Sequence, residues 1–252
     1  IQASAGLMSI TGESDGAAMK VGVAITDVIT ALYAATAALA GLVRRGRVGT
    51  GLGFDLALAD CTLSSLVNVA QASLLTGRAP QRFGNAHPHI VPYEPFATSD
   101  GTIIVAVGND GQWRRACRAL DHEAWFDDPR FATNPARVKH RAELVPMIAA
   151  VMLERSTADW ATRFAAEDVP HAPVQSLDQV FDSPQVAARG MLREITDSAG
   201  RTYRVVASPL HSADLPSAPC SAPPSIGEHS DEVLREWLAY SPARIAALYA
   251  GA

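Results

Sequence analysis

The sequence has 252 residues, of which 48% are hydrophobic and 19% charged, so it has enough apolar material for one large domain or two small ones. Its 21 basic and 26 acidic residues give a net charge of −5 without a long basic run, and we therefore expect no nucleic-acid partner. The three cysteines, Cys61, Cys117 and Cys220, form no Cys-x-x-Cys pair, which argues against a disulfide framework and a zinc site. We expect a cytoplasmic protein without a metal.

The first residues do not resemble the start of an intact gene product. The chain opens on Ile1 rather than methionine and shows no signal-peptide pattern. We therefore expect that an upstream segment is missing from this sequence.

An apolar, alanine-rich segment occupies residues 27–45. Its apolar residues lie on most faces, which predicts a helix that is buried on more than one side. The most apolar part, residues 28–43, is shorter than the roughly 20 residues of a membrane span, so no membrane contact is expected. A glycine-rich turn, an alternating strand over 54–58 and a helix over about 60–75 follow, and this order predicts an α/β domain.

A long, proline-rich loop is predicted over residues 77–93, and loops of this length are often functional. Beyond it, Asp100-Gly101 between two apolar runs predicts a β-hairpin, and we expect a second domain to begin near this point. The remaining predicted elements are helices over 112–120, 137–154, 156–167, 178–181 and 184–190, a hairpin over 191–206, an extended proline-rich segment over 209–224, and helices over 230–238 and 242–250.

Asp27 has two interpretations. As the first residue of the predicted helix it is a candidate N-cap, whose carboxylate accepts hydrogen bonds from free backbone amides. The same helix end keeps a carboxylate ionised, and an ionised, partly desolvated carboxylate can attack a thioester carbonyl. Spacing alone leaves both interpretations open, since they differ only in the direction of the side chain.

His87-Pro88-His89 lies within the long loop. No third ligand accompanies these histidines at metal-binding spacing, so a histidine that forms hydrogen bonds is favoured over a metal site. Asn109-Asp110-Gly111-Gln112 stands between a predicted strand and a predicted helix, where side chains and free amides either meet a ligand or form an ordinary turn.

Three arginines, Arg130, Arg137 and Arg141, flank the segment Thr133-Asn-Pro. Each is either a solvated surface group or a clamp for a substrate carboxylate, since a guanidinium pairs with a carboxylate through two parallel hydrogen bonds. The sequence alone does not separate these two roles.

Many short motifs occur in one order along the whole chain. They are Gly6-Leu-Met-Ser-Ile-Thr-Gly12, Asp15-Gly16, Lys20-Val-Gly-Val, the Asp27 helix, Thr50-Gly51, Arg82-x-Gly-Asn-x-His-Pro-x-Ile-x-Pro-Tyr93, Asp100-Gly101, Gly108-Asn-Asp-x-Gln112, Asp128-Pro-Arg-Phe-Ala-Thr-Asn134, Arg137-Val-x-x-Arg141, Val169-Pro, Asp182-Ser-Pro-Gln-Val, Arg189-Gly-Met, Pro223-Pro and Gly227-Glu-His. The series resembles the class III CoA-transferases, the CaiB/BaiF family. The Arg82 and Gly108 motifs look most similar to members that use dicarboxylates such as succinate and glutarate.

The resemblance implies an α/β fold in which part of a Rossmann-like large domain is joined to a smaller α+β domain. Residues 1–90 would belong to the large domain and its linker, 91–190 to the small domain, and 191–252 to a tail that returns to the large domain. In this family two chains interlock as linked rings, so a homodimer is expected. The first βα units, which contact the CoA nucleotide in relatives, are absent from this sequence.

The resemblance also implies the chemistry. An acyl-CoA:carboxylate CoA-transferase would use Asp27 as a nucleophile that forms an aspartyl anhydride and then an aspartyl-CoA thioester. The expected cofactor is coenzyme A, as the acyl-CoA substrate and without a metal. The remaining site residues implied are Lys20, His87, Asn109 and Asp110 for coenzyme A, and Arg137 and Gln112 for a substrate carboxylate.

Two alternatives stay open. Family members that racemise 2-methylacyl-CoA esters use the aligned aspartate with an upstream histidine and a glutamate after the Val-Gly strand. The residue that corresponds to this glutamate here is Asp110, and the segment of the histidine is missing from this sequence. The second alternative is a non-catalytic fragment that acts only as a binding or structural partner.

Overall fold

The computed structural model describes residues 1–212, 214 and 221–250, which form two compact units. The first unit spans Ile1–Val174 and the second Gln175–Ala252. The division after Val174 falls inside the predicted small domain, and the three predicted domains stay predictions.

The first unit begins with a 3-10 turn at Leu7–Ile10 and three helices, α1 (Ile25–Val48), α2 (Leu58–Ser65) and α3 (Val67–Thr76). The strand predicted over 54–58 does not form. An alternating pattern makes a strand only where a neighbouring backbone completes its hydrogen bonds, and no strand of the described residues pairs with this segment.

Helix α1 is exposed along most of its length, and within it Thr26 is the buried residue. The prediction of a helix buried on several sides is therefore wrong for this chain, in which α2 is the main helix packed on α1.

Helix α1 is also longer than predicted. With 24 residues it is long and apolar enough to cross a membrane, and so are α2 and α3 taken together across their 79° bend. Core helices of soluble proteins can have the same length and hydropathy, so the expected absence of membrane contact stays a prediction.

The predicted hairpin is confirmed. Strands β1 (Tyr93–Ala97) and β2 (Thr102–Ala106) pair antiparallel, and β3 (His171–Pro173) adds to the other edge of β2. Alternate side chains of β2 are buried, with Ile103 and Val105 at 0% and 2% exposure, as expected for a sheet with one covered face.

Helices cover this sheet and supply the core of the first unit. They are α4 (Asp110–Ala119), α5 (Ala124–Asp127), α6 (Asn134–Lys139), α7 (Arg141–Met152) and α8 (Thr157–Ala166). The largest fully buried side chains include Trp113, Trp160, Phe131, Phe164, Leu144 and Ile148. The single helix predicted over 137–154 is instead two, α6 and α7, because the backbone of His140 leaves helical geometry between them.

Two side-chain hydrogen bonds hold the start of α8. Ser156 caps the helix by accepting from the Asp159 amide at 3.2 Å. The Asp100 carboxylate of the hairpin turn accepts from the Thr157 amide at 2.8 Å, so the turn is fastened to the start of α8.

The second unit holds α9 (Leu177–Phe181), α10 (Pro184–Ala188) and the predicted hairpin, formed by β4 (Leu192–Thr196) and β5 (Thr202–Val206). It ends with α11 (Ser230–Glu232), which continues as a π-helical turn at Val233–Trp237, and with α12 (Pro242–Ala250). Part of the predicted proline-rich segment, residues 213 and 215–220, lies outside the described residues.

Leu144 and Leu153 offer a test of the core. Leu144 is fully buried in α7, whereas Leu153 at the end of the same helix is 54% exposed. We expect Leu144→Ala to lower the free energy of unfolding by about 2–5 kcal/mol, since it removes packed atoms and leaves a cavity. Urea denaturation should show a much smaller loss for Leu153→Ala, and equal losses would contradict the assigned core.

Candidate active site

Asp27 is the third residue of α1, not its N-cap. Ala24 takes the cap position and its carbonyl accepts from the amides of Asp27 and Val28 at 3.1 and 3.2 Å. The prediction that Asp27 is the first helical residue is therefore wrong, because the helix already begins at Ile25. The Asp27 side chain is exposed, and its Oδ2 accepts from the Thr26 hydroxyl at 3.2 Å. The carboxylate therefore lies in the first turn of α1, near the positive end of the helix dipole, where a ligand can reach it.

The segment that leads into α1 is held by Gln2. Its side chain accepts from the Val21 amide at 2.9 Å and donates to the Val23 carbonyl at 3.3 Å. Lys20 precedes this clamp and is exposed. Sequence reasoning missed Gln2, since nothing in the local pattern marks a contact across about twenty residues of chain.

The loop between α3 and β1 runs beside the same segment. Arg82 donates to the carbonyls of Glu13 and Gly16 at 3.2 and 2.7 Å, and the Gly84 amide donates to the Gly12 carbonyl at 3.1 Å. Gly12 has φ +121°, and a Cβ there would approach the Ala17 carbonyl oxygen to 2.5 Å, so glycine is required. Two motifs far apart in sequence therefore meet.

His87 is held within this loop by its own neighbours. Its amide donates to the Tyr93 carbonyl at 2.9 Å, its Nδ1 accepts from the His89 amide at 3.1 Å, and its ring stacks on Tyr93 with centroids 5.4 Å apart. The His87 carbonyl accepts from Arg141. Desolvation lowers the pKa of His87, and the positive charges of His89 and Arg141 lower it further.

Arg137 is fully buried and bonded to the protein. It donates to the carbonyls of Val91 and Phe131 at 2.6 and 2.9 Å, and to the Asp110 carboxylate at 3.0 Å. Burial lowers its pKa, partly offset by the Asp110 charge. The guanidinium is therefore not the solvated surface group considered from sequence, and it has a structural role. A contact between Arg137 and a substrate carboxylate stays a prediction.

The side chains of Asn109 and Gln112 both accept hydrogen bonds from backbone amides at the start of α4. The Asn109 side chain accepts from the Gln112 amide at 2.9 Å, while the Gln112 side chain accepts from the Gly108 amide at 2.7 Å. These bonds are the ordinary turn chemistry considered from sequence. They use one side-chain oxygen of each residue, and the predicted ligand contacts of both residues stay predictions.

Asn134 completes the support of the loop. Its side chain accepts from the Val91 amide at 3.1 Å and donates to the His89 carbonyl at 2.9 Å, while its own amide donates to Asp110 at 2.9 Å. Sequence reasoning placed Asn134 in a motif without a role.

The structure therefore brings His87, Asp110 and Arg137 into one supported network. Asp27 and Lys20 lie on the preceding segment, and within the described part of the chain no hydrogen bond joins either of them to that network. Over residues 1–212, 214 and 221–250, no group of three or more His, Cys, Asp or Glu side chains is arranged to hold a metal ion.

A family model described as CoA-transferase family III matches residues 1–230. The chain belongs to this family. The resemblance found in the sequence motifs is thereby confirmed, and with it the membership in a family of transferase enzymes.

Similar proteins agree with this assignment. The chain is 41% identical over 236 residues to succinate–glutarate CoA-transferase of Agrobacterium fabrum, covering 94% of this chain and 59% of that protein. It is 33% identical over 243 residues to human succinyl-CoA:glutarate CoA-transferase, covering 96% and 56%. The chain thus spans less than two thirds of these relatives.

Solved structures confirm the mixed helix and sheet fold. A CAIB/BAIF family protein from Brucella suis superposes with a TM-score of 0.81 at 36% identity, covering 93% of this chain and 61% of the other. The Rossmann-like part of the predicted fold and the interlocked dimer are not decided by this match.

Arg137 supplies a test of the supporting network. We expect Arg137→Met to lower the free energy of unfolding by roughly 2–4 kcal/mol, because two buried carbonyls and Asp110 lose their donor. Arg130 is a suitable control, since it is half-exposed and paired with Asp128 and Glu143, and Arg130→Met should lower the free energy of unfolding far less, because exposed ion pairs contribute little. A similar small loss for both variants in urea denaturation would contradict the structural role of Arg137.

Proposed function

We propose that the protein is an acyl-CoA:carboxylate CoA-transferase that moves CoA from succinyl-CoA or a similar donor to a dicarboxylic acid such as glutarate. The observation that carries the proposal is the family match over residues 1–230, together with an exposed Asp27 in the first turn of α1. The substrate class is supported by the names of the relatives from Agrobacterium fabrum and human.

Asp27 is the proposed nucleophile. Its carboxylate attacks the thioester carbonyl of the donor, the carbon–sulfur bond breaks, and CoA leaves as the thiolate while an aspartyl mixed anhydride remains. The thiolate then attacks the aspartyl carbonyl, which releases the donor acid and forms an aspartyl-CoA thioester.

The acceptor acid reverses these two steps. Its carboxylate attacks the aspartyl-CoA thioester to give a second mixed anhydride and CoA thiolate. The thiolate attacks the acceptor carbonyl, which yields the new acyl-CoA and returns Asp27 as a carboxylate. Each step exchanges one acyl bond for another, so the cycle needs no external oxidant, and exclusion of water protects both anhydrides.

Coenzyme A is the proposed cofactor, bound as the acyl-CoA substrate. The exposed ammonium of Lys20 suits a phosphate of CoA by charge. His87 suits a substrate oxygen, and the amide nitrogens of Asn109 and Gln112 remain available after their oxygens have capped α4. Asp110 contributes through the network that holds the His87 loop.

The proposed assembly is a cytoplasmic, interlocked homodimer in which these residues belong to a Rossmann-like large domain and a smaller domain. The exposed apolar residues of α1, among them Val28, Leu32, Leu39, Leu42 and Val43, support an assembly that covers this helix, since soluble proteins rarely leave large apolar patches open.

Asp27→Asn tests the nucleophile. An amide cannot form the anhydride, so we expect CoA transfer between succinyl-CoA and glutarate to fall by roughly 10⁴-fold or more. Asp60→Asn is the matched control, since Asp60 is also exposed and also the third residue of its helix; it should keep the activity. Chromatographic measurement of glutaryl-CoA decides the comparison.

Chemical trapping of the aspartyl intermediate tests the nucleophile independently of the Asp27→Asn variant. Hydroxylamine added during turnover should convert the aspartyl intermediate into a hydroxamate in the Asp27 peptide, detectable by mass spectrometry. Retained turnover by Asp27→Asn, or an unmodified Asp27 during turnover, would overturn the proposal. Deuterium wash-in at C2 of a 2-methylacyl-CoA without an acceptor acid, combined with no CoA transfer, would support the racemase instead.

A further inference from the structure

The His87 imidazole has one ring nitrogen engaged and one available. Nδ1 accepts a hydrogen bond from the His89 amide at 3.1 Å, so this nitrogen carries a lone pair and no hydrogen. In a neutral imidazole the other nitrogen then carries the proton. His87 therefore has the tautomer with an Nε2–H donor, and no described residue accepts a hydrogen bond from that group.

The surroundings favour the neutral ring. Burial lowers the pKa of His87, charge interactions with His89 and Arg141 lower it further, and Tyr93 stacks on the ring. Glu94 interacts with Arg141, and burial raises the pKa of this carboxyl group. A proton on Nδ1 would also replace the acceptor of the His89 amide with a second donor, so hydrogen bonding opposes the imidazolium as well.

The ring is also fixed in position. The amide and carbonyl of His87 are bonded to Tyr93 and Arg141, and Asn134 holds the carbonyl of His89 and the amide of Val91. The Nε2–H group of a partly exposed side chain is thus pre-oriented before any ligand arrives. A donor held in this way stabilises a negatively charged oxygen without a cost of reorganisation.

We propose that the Nε2–H of His87 is a specificity-determining donor to a carboxyl-derived oxygen of the substrate, and that Arg141 is the residue that positions it. The proposal rests on the proposed CoA-transferase function. The oxygen belongs either to the thioester carbonyl of the acyl-CoA or to the carboxylate of the acceptor. Both are acceptors that a neutral donor fits, whereas a phosphate is bound more strongly by a charged group.

Two substitutions of His87 distinguish the role of Nδ1 from the role of Nε2. In His87→Asn the side-chain oxygen reaches the Nδ1 position and keeps the His89 bond, but the distal donor is lost. In His87→Gln the amide nitrogen reaches the Nε2 position and keeps the donor, but the His89 bond is lost. We expect kcat/KM to fall by roughly 100-fold in His87→Asn, while His87→Gln retains most of the activity.

The kinetic parameters identify the oxygen. A higher KM for succinyl-CoA indicates the thioester, a higher KM for glutarate indicates the acceptor carboxylate, and a lower kcat at unchanged KM indicates the oxyanion that forms during attack. His122→Asn is the control, since the His122 ring stacks on Trp125 and the His122 backbone bonds to Cys117 and Trp125 rather than to the loop, and its kinetic parameters should equal those of the wild type. Equal activity of wild type, His87→Asn and His87→Gln would overturn the proposal.

Nitrogen-15 NMR of the imidazole gives a readout that does not need turnover. The wild-type protein should show an unprotonated Nδ1 and a protonated Nε2, and glutarate or succinyl-CoA should shift the Nε2 resonance. Arg141→Gln should raise the pKa of His87, because it removes a nearby positive charge and keeps a donor for the carbonyl. An Nδ1-protonated ring, or no shift with either ligand, would overturn the proposal even if the protein transfers CoA. If it transfers none, the proposed function fails while the ligand-dependent shift still decides the role of His87.

Discussion

The buried guanidinium of Arg137 is the interaction on which the arrangement of the site depends. A charge that is removed from water is stable only when its donors find partners. Those partners are the Val91 carbonyl before β1, the Phe131 carbonyl between α5 and α6, and the Asp110 carboxylate at the start of α4. One side chain therefore ties three separate segments of the first unit together.

Arg137 fixes the end of the loop before β1 by its hydrogen bond to the Val91 carbonyl. On one side, Asn134 and Arg141 hold its backbone around His87 to Val91. On the other side, Arg82 bonds to the segment that leads towards α1. The loop thus runs from the supported network, where the His87 donor is fixed, to the chain that carries Asp27. In the proposed reaction these parts supply a donor and a nucleophile.

Local signals in the sequence were sufficient for elements whose stabilising contacts are also local. Asp100-Gly101 predicted the first hairpin, because a turn of this kind is closed by neighbouring residues. The strand over 54–58 was predicted wrongly, since alternation does not show whether a partner strand exists. The burial of Arg137 could not be predicted either, because one of its acceptors, Val91, lies 46 residues away in sequence. The role of Asp27 as nucleophile was inferred from the order of motifs and stays a prediction, and its predicted place in the helix was wrong by two residues.

The central claim is that Asp27 exchanges acyl bonds with both acids, and oxygen transfer tests it most directly. When glutarate labelled with ¹⁸O in its carboxylates attacks the aspartyl-CoA thioester, the bridging oxygen of the new anhydride comes from glutarate. Thiolate attack on the glutaryl carbonyl then leaves that oxygen on aspartate. Mass spectrometry of the peptide that contains Asp27 should therefore show ¹⁸O after turnover with succinyl-CoA. Glutaryl-CoA formation without label in that peptide would contradict the account.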